Sequence, residues 1–100
     1  MEYPQFDKTI HEQTKLKILT YLSSRQTCSF MDIKNGIKLT SGNLSIQLKT
    51  LEEKRLVIQK KTIENKKTNT SVKITKEGRK ALLEYLIEME SLLSQINLGI

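Results

Sequence analysis

Few side chains in this 100-residue sequence are typed and spaced for covalent or metal chemistry. One histidine, His11, and one cysteine, Cys28, stand alone, without a base beside the thiol or a ligand cluster around either. The four glycines are scattered, so there is no phosphate-cradling loop, and no pair of carboxylates is set for acid–base work. His11 is therefore expected to be structural or solvent-exposed, and Cys28 a small buried hydrophobe. What the sequence concentrates instead is hydrogen-bonding and cationic chemistry, in the stretch LTSGNLSIQLKTLEEKRLV from Leu39 to Val57. Leu44, Leu48 and Leu51 recur at i, i+4 and i+7 as one apolar helical stripe, with Thr40 in the N-cap position. At 100° per residue Gly42, Ser45, Ile46 and Lys49 point away from that stripe. This outer face carries small side chains and one cation, with no acid before Glu52 and Glu53. A helix start of this kind can approach a polyanion closely, whereas an ordinary solvated face mixes both signs.

The charge around this helix is one-sided. The chain has 17 Lys and Arg against 11 Asp and Glu, a net charge of +6. Residues 1–40 contribute +2, residues 41–80 contribute +7, and residues 81–100 contribute −3. A basic middle segment favours an anionic partner such as nucleic acid. Single-stranded RNA is disfavoured, because the five aromatics fall mostly on apolar stripes and leave none free for base stacking. A lone cysteine excludes an internal disulfide framework and fits a reducing compartment. The first residues lack an apolar run, and no apolar stretch reaches membrane-spanning length. The expectation is one small cytoplasmic domain with no metal, no cofactor and no enzymatic activity. At this size a second copy is a reasonable source of further apolar contact.

The elements that must position these residues can be read in chain order. Residues 1–10 hold Tyr3, Phe6 and Ile10, an arm docked on its own domain or on a second subunit. His11–Ser23 reads as one helix, with Lys15, Ile18, Leu19 and Leu22 on its inner stripe. Thr27 and Cys28 form a very short strand. Ser29 with Asp32 resembles a capping box for a two-turn helix, and Asn35–Gly36 supplies a left-handed stop. The leucine-striped helix follows after a tight connection, which is the helix-turn-helix arrangement. Val57–Ile63 and Thr70–Thr75 then read as hairpin strands around the polar tip Glu64–Asn69. Lys60, Lys61, Lys66, Lys67 and Lys73 lie on this hairpin against Glu64 alone. From Thr75 a last helix runs to Ile96, and Leu82, Leu86, Met89, Leu93 and Ile96 follow a 4-3-4-3 spacing, a heptad seam. That seam, with Phe6 and Ile10 of the arm, is the expected dimer interface.

Helix, short helix, helix, basic hairpin, long helix is the order of a winged helix-turn-helix. Residues 11–80 resemble the winged-helix transcriptional regulators of the ArsR/MarR-like class in their short stand-alone form. Three blocks carry the resemblance: HEQTKLKILTYL in the opening helix, LTSGNLSIQLKTLEEKRLV in the recognition helix, and ITKEGRKAL at the entry to the last helix. The implied fold is mainly α with a small β-hairpin, divided into an arm (1–10), a winged helix-turn-helix (11–75) and a C-terminal dimerisation helix (76–100). The resemblance sets Thr40, Ser41, Ser45 and Ile46 against DNA. Ile46 departs from the polar residue, often histidine, of many ArsR-like members, and suits a thymine methyl better than a polar base edge. Metal-sensing members cluster cysteines near the recognition helix, and Cys28 has no such company.

The function expected is that of a DNA-binding transcriptional regulator, a homodimeric repressor on an inverted-repeat operator, with its effector unspecified. Ser41, Asn43, Ser45, Ile46 and Gln47 are the candidate base or phosphate contacts. Lys49, Lys54 and Arg55, with the hairpin lysines, would displace counterions from phosphate. The competing expectation is a winged-helix module for protein–protein contact without a DNA target.

Overall fold

Side-chain oxygens start the helices. In the computed structural model, which describes residues 3–96, the Asp7 carboxylate accepts from the Thr9 and Ile10 backbone N–H groups and opens α1, Lys8–His11. The Glu12 carboxylate accepts from Lys15 N–H at 2.8 Å and opens α2, Gln13–Ser23. The opening helix expected from His11 thus begins two residues later, at Gln13, because Glu12 takes an extended conformation to serve as cap, and α1 belongs to the arm before it. The short strand β1, Thr27–Ser29, leads into α3, Phe30–Gly36, where Ser29 Oγ accepts from Asp32 N–H at 3.0 Å. Thr40 Oγ1 accepts from Asn43 N–H and begins α4, Ser41–Glu53. The strands β2, Val57–Glu64, and β3, Lys67–Ile74, precede α5, Lys76–Ile96, which Thr75 opens by accepting from Gly78 N–H. The first two residues of the expected arm and the last four of the expected terminal segment lie outside the described residues.

Three local expectations are corrected. Gly36 is not a left-handed stop: it lies inside α3, and the positive φ falls on Lys38 at 55°. The glycine is needed for close approach, since a Cβ there would stand 2.5 Å from the Tyr21 ring. The hairpin tip is not six residues but two. Asn65 and Lys66 both take positive φ, and Glu64 pairs with Lys67, so Lys67, Thr68 and Asn69 belong to the strand. The hairpin is also part of a three-stranded antiparallel sheet in the order β1-β3-β2, which leaves β2 on the edge.

One core unites these layers. Ile18, Leu19 and Leu22 of α2, Ile33 of α3, and Leu44, Leu48 and Leu51 of α4 are completely buried against Val57 and Val72 of the sheet. Each leucine withdrawn from water contributes about 2 kcal/mol, so the apolar stripe of α4 fixes which face that helix turns outward. Cys28 joins the core at 6 % exposure. Burial pushes its thiol up, the Arg25 charge opposes, and Asp32 adds to the rise, so the group stays a neutral, inert thiol.

The arm docks on its own chain. Ile10 is completely buried, and Phe6 stacks on His11 with ring centroids 5.2 Å apart. Ile10 and Leu82, both expected at an interface between copies, are corrected to the interior of one chain, because α1 packs on α2 and α5 and closes over them. Half-buried Phe6 and Met89 also pack on that core. Leu86, Leu93 and Ile96 of the seam remain exposed, together with Leu83 and Ile87. No helix among the described residues is long and apolar enough to cross a membrane.

Candidate nucleic-acid interface

The outward face of α4 is open along its length. Ser41, Gly42, Asn43, Ser45, Ile46 and Lys49 are all exposed, and Ile46 shows 66 % of its surface to solvent. Nothing within 4 Å would meet a Cβ at Gly42. Because Leu44, Leu48 and Leu51 hold the opposite side, this face cannot rotate inward without losing the core.

Three of the expected contacts are already engaged. Thr40 uses its hydroxyl oxygen on the cap. Gln47 is half-buried and donates Nε2–H to Asn43 Oδ1 at 3.1 Å, so the two amides are tied to each other along the helix. The Gln47 Oε1 atom is buried without a hydrogen-bond partner among the described residues. Ser41, Ser45, Ile46 and Lys49 are left as the freest side chains of the set.

Between α4 and the hairpin lies an open cleft of about 620 Å³. Ser45 and Glu52 form one wall, Gln59, Lys61 and Thr68–Thr70 the other, and Ser29, Phe30 and Met31 at the start of α3 close one end. Sequence reasoning missed Ser29, Met31 and Thr68–Thr70. Thr68 and Asn69 were hidden by the supposed loop, Thr70 was read as strand without its face being known, and the Ser29 cap was legible only as a helix start. Strand alternation divides the lysines. Lys61 shares the face of Gln59 and Val72, whereas Lys60 and Lys73 pair with Ser71 and Ile58 on the opposite face. Lys73 borders a separate hollow with Lys76 and Arg79, so it and Lys60 do not join Lys61 in the cleft. Lys66 sits in the two-residue turn with Lys67 beside it, and Lys54 and Arg55 lie exposed where α4 ends. Among the described residues the one ion pair is Lys15 with Glu12, so the cations of α4 and the hairpin hold no carboxylate. An exposed helix face of small side chains beside a ribbon of unpaired lysines matches a duplex, whose phosphates take cations and whose grooves admit a helix.

The sequence profile of winged helix DNA-binding domains matches residues 14–93. The chain belongs to that family. The resemblance to winged helix-turn-helix regulators carried by the three sequence blocks is borne out, as is the mainly α fold with its small sheet and long last helix. An uncharacterized protein of Methanocaldococcus jannaschii is 36% identical over 89 residues, which cover 89% of this chain and 97% of the relative. Among solved structures, a transcriptional regulator homologue from Pyrococcus horikoshii superposes with a TM-score of 0.85 at 27% identity, over 90% of this chain and 89% of that one. The fold is shared with PadR of Bacillus subtilis, determined in complex with operator DNA, at a TM-score of 0.67 and 22% identity over 76% of this chain and 48% of that one. Family and fold point to a DNA-binding regulator and away from an enzyme.

Proposed function

We propose that this chain is a homodimeric transcriptional repressor that reads an inverted-repeat operator. The outer face of α4 enters the major groove, with Ser41, Ser45 and Ile46 toward the base edges and Asn43 and Gln47 on the flank. Ile46 offers only apolar contact, which favours a thymine methyl at that step. Lys49, Lys54, Arg55 and Lys61 neutralise the strand that passes between α4 and the hairpin. Lys66 and Lys67 reach the flanking backbone, with Lys60 and Lys73 adding to the field from the far face of the sheet. Two copies joined through the outward stripe of α5 present their reading helices as a two-fold pair, so half-sites should be centred about 10 bp apart or a multiple of it. A bound dimer would repress by covering the stretch of duplex it occupies. The observation that carries this reading is the cleft itself, with an exposed, acid-free helix start on one wall and a lysine-tipped hairpin on the other.

The experiment is selection of duplexes from a random pool, followed by affinity measurements across a salt series. An inverted repeat should emerge, and log affinity should fall linearly with log salt at about 0.9 per phosphate neutralised. Lys66→Ala and Lys67→Ala should each reduce that slope by about one. A flat slope, or a selected pool without an inverted repeat, would overturn the reading.

A further inference from the structure

The hairpin leaves the body of the protein at Gln59. Val57 and Val72 anchor its root in the core, but every residue from 60 to 69 is exposed. The lysine-tipped half is therefore a free-standing ribbon, and its direction is set at the base. β2 is an edge strand, so the N–H groups on its outer side have no strand partner. The Gln59 backbone N–H finds one in the last turn of α4: it donates to Glu52 Oε2 at 2.8 Å, while Gln59 Nε2 donates to Glu52 Oε1 at 3.4 Å. Both oxygens of one carboxylate on the reading helix are thus given to the first strand of the hairpin, where the ribbon departs.

A carboxylate in this position does nothing for phosphate affinity. Glu52 lines the same cleft as Lys61 and Ser45, and its charge opposes an incoming phosphate. Geometry is what it supplies. From Gln59 to the turn at Asn65–Lys66 is about 20 Å of strand, so pivoting the ribbon by about 10° moves its tip by about 3.5 Å. That is close to the 3.4 Å axial spacing between phosphates on one strand. A hairpin free to swing by that amount would spread Lys66 and Lys67 over neighbouring phosphates rather than fixing them on one.

We infer that Glu52 is a positioning residue, a brace that fixes the angle of the hairpin to the reading helix and so decides which phosphates the tip lysines meet. The inference rests on the duplex-reading function proposed above. Its structural half is tested without any duplex. Amide hydrogen exchange in the free protein should show Gln59 N–H losing protection by about tenfold or more in Glu52→Ala. Glu52→Gln retains a carbonyl acceptor for that N–H and should keep most of the protection. Residual dipolar couplings of β2 and β3 relative to α4 should report a broadened hairpin orientation in the alanine variant alone.

The functional half is a double-mutant cycle on the selected duplex. In the Glu52→Ala background, adding Lys66→Ala and Lys67→Ala should reduce the salt slope by clearly less than in the wild type. Glu52→Gln should behave like the wild type in this respect and bind as tightly or more tightly, because a repulsive charge has gone. Identical behaviour of the alanine and glutamine variants in both measurements would overturn the brace. Full slope decrements from the two lysines in the alanine background would do the same. Wild-type protein without salt-dependent duplex binding would instead overturn the function proposed above, and the exchange and coupling data would still decide whether Glu52 orients the hairpin.

Discussion

The Nδ1 atom of His11 lies 2.8 Å from the hydroxyl of Tyr85, joining the N-terminal arm to the last helix across 74 residues of sequence. Phe6 stacks on the imidazole from one side and meets the Tyr85 ring at a tilt, with centroids 5.3 Å apart. Tyr85 is only 4 % exposed, so most of its ring is core while its hydroxyl meets an exposed histidine. The sole histidine thus fastens the arm to the last helix.

Tyr85→Phe keeps the buried ring and removes the hydroxyl. Because water can reach His11, the cost should sit at the low end for a hydrogen bond, about 0.5–1 kcal/mol in urea denaturation. Phe6→Ala loses the stack and half-buried apolar surface and should cost about 2 kcal/mol. Both should speed exchange at the Thr9 and Ile10 amides capped by Asp7. Unchanged exchange at those two positions would mean that the arm is held by Ile10 alone.

Two glycines should respond with opposite signs. A Cβ at Gly78 would collide with the Leu56 carbonyl, the same oxygen that accepts from Thr75 N–H, and with the Ile74 side chain. Backbone cannot step aside as a side-chain tip can, so Gly78→Ala should destabilise by about 3 kcal/mol. At Gly42 a methyl meets nothing, and the residue is helical. Gly42→Ala should therefore stabilise by about 0.5–1 kcal/mol through helix propensity. Parallel urea titrations decide it, and a destabilised Gly42→Ala would contradict the open surface described for α4.

Glu12 links stability to pH. Burial by itself pushes its carboxyl up. The backbone N–H groups of Lys15 and Thr14, the Lys15 ammonium and the Thr14 hydroxyl outweigh that and hold it below its ordinary value of 4.5. The folded state then binds this proton less tightly than the unfolded chain does, so the ionised form favours folding. Its contribution is fully present above 4.5 and is lost as pH falls through the lower folded value. Glu12→Gln should be less stable than wild type at pH 7, by under about 1 kcal/mol for an exposed cap. The gap should close toward pH 3, and a gap that holds constant with pH would remove the electrostatic part.

Where the sequence was legible, the signal was local. Thr40, Ser29 and Thr75 cap helices with oxygens that reach only three residues forward, and Leu44, Leu48 and Leu51 mark the buried face of α4 by period alone. Where it misled, the cause was distant in the chain. Gly36 answers to Tyr21, fifteen positions earlier, and not to its own backbone angle. Thr68 and Asn69 looked like a loop because a ribbon exposed on both faces carries no apolar alternation to betray a strand. The α4 face was visible as a face, but the cleft beside it needs Gln59 and Lys61 on one side of the sheet and Lys60 and Lys73 on the other, a parity set by pairing register. The Glu52–Gln59 contact left no trace, since a glutamate near a helix end reads as ordinary surface.

The last helix holds the clearest test of the two-fold arrangement. A strict seven-residue repeat drifts by about 20° per heptad around a straight helix, so one seam can face two ways. Leu82 and Tyr85 turn into the protomer, whereas Leu86 and Leu93, one heptad apart, are 43 % and 51 % exposed, with Leu83, Ile87 and Ile96 also open to solvent. An exposed run of large apolar side chains on one helix is costly to leave wet, and a second copy of the same stripe would cover it symmetrically. Leu86→Glu and Leu93→Glu place charge in that stripe without touching the buried core, so circular dichroism should report a folded chain. Sedimentation equilibrium should show the dimer weakened by at least about a hundredfold, since two copies of each carboxylate would be desolvated at once. Duplex binding should then fall to that of a single half-site, with the salt slope near half the wild-type value. A wild-type chain that sediments as a monomer at micromolar concentration would remove the inverted repeat, leaving α4 and its braced hairpin as the reader of one half-site.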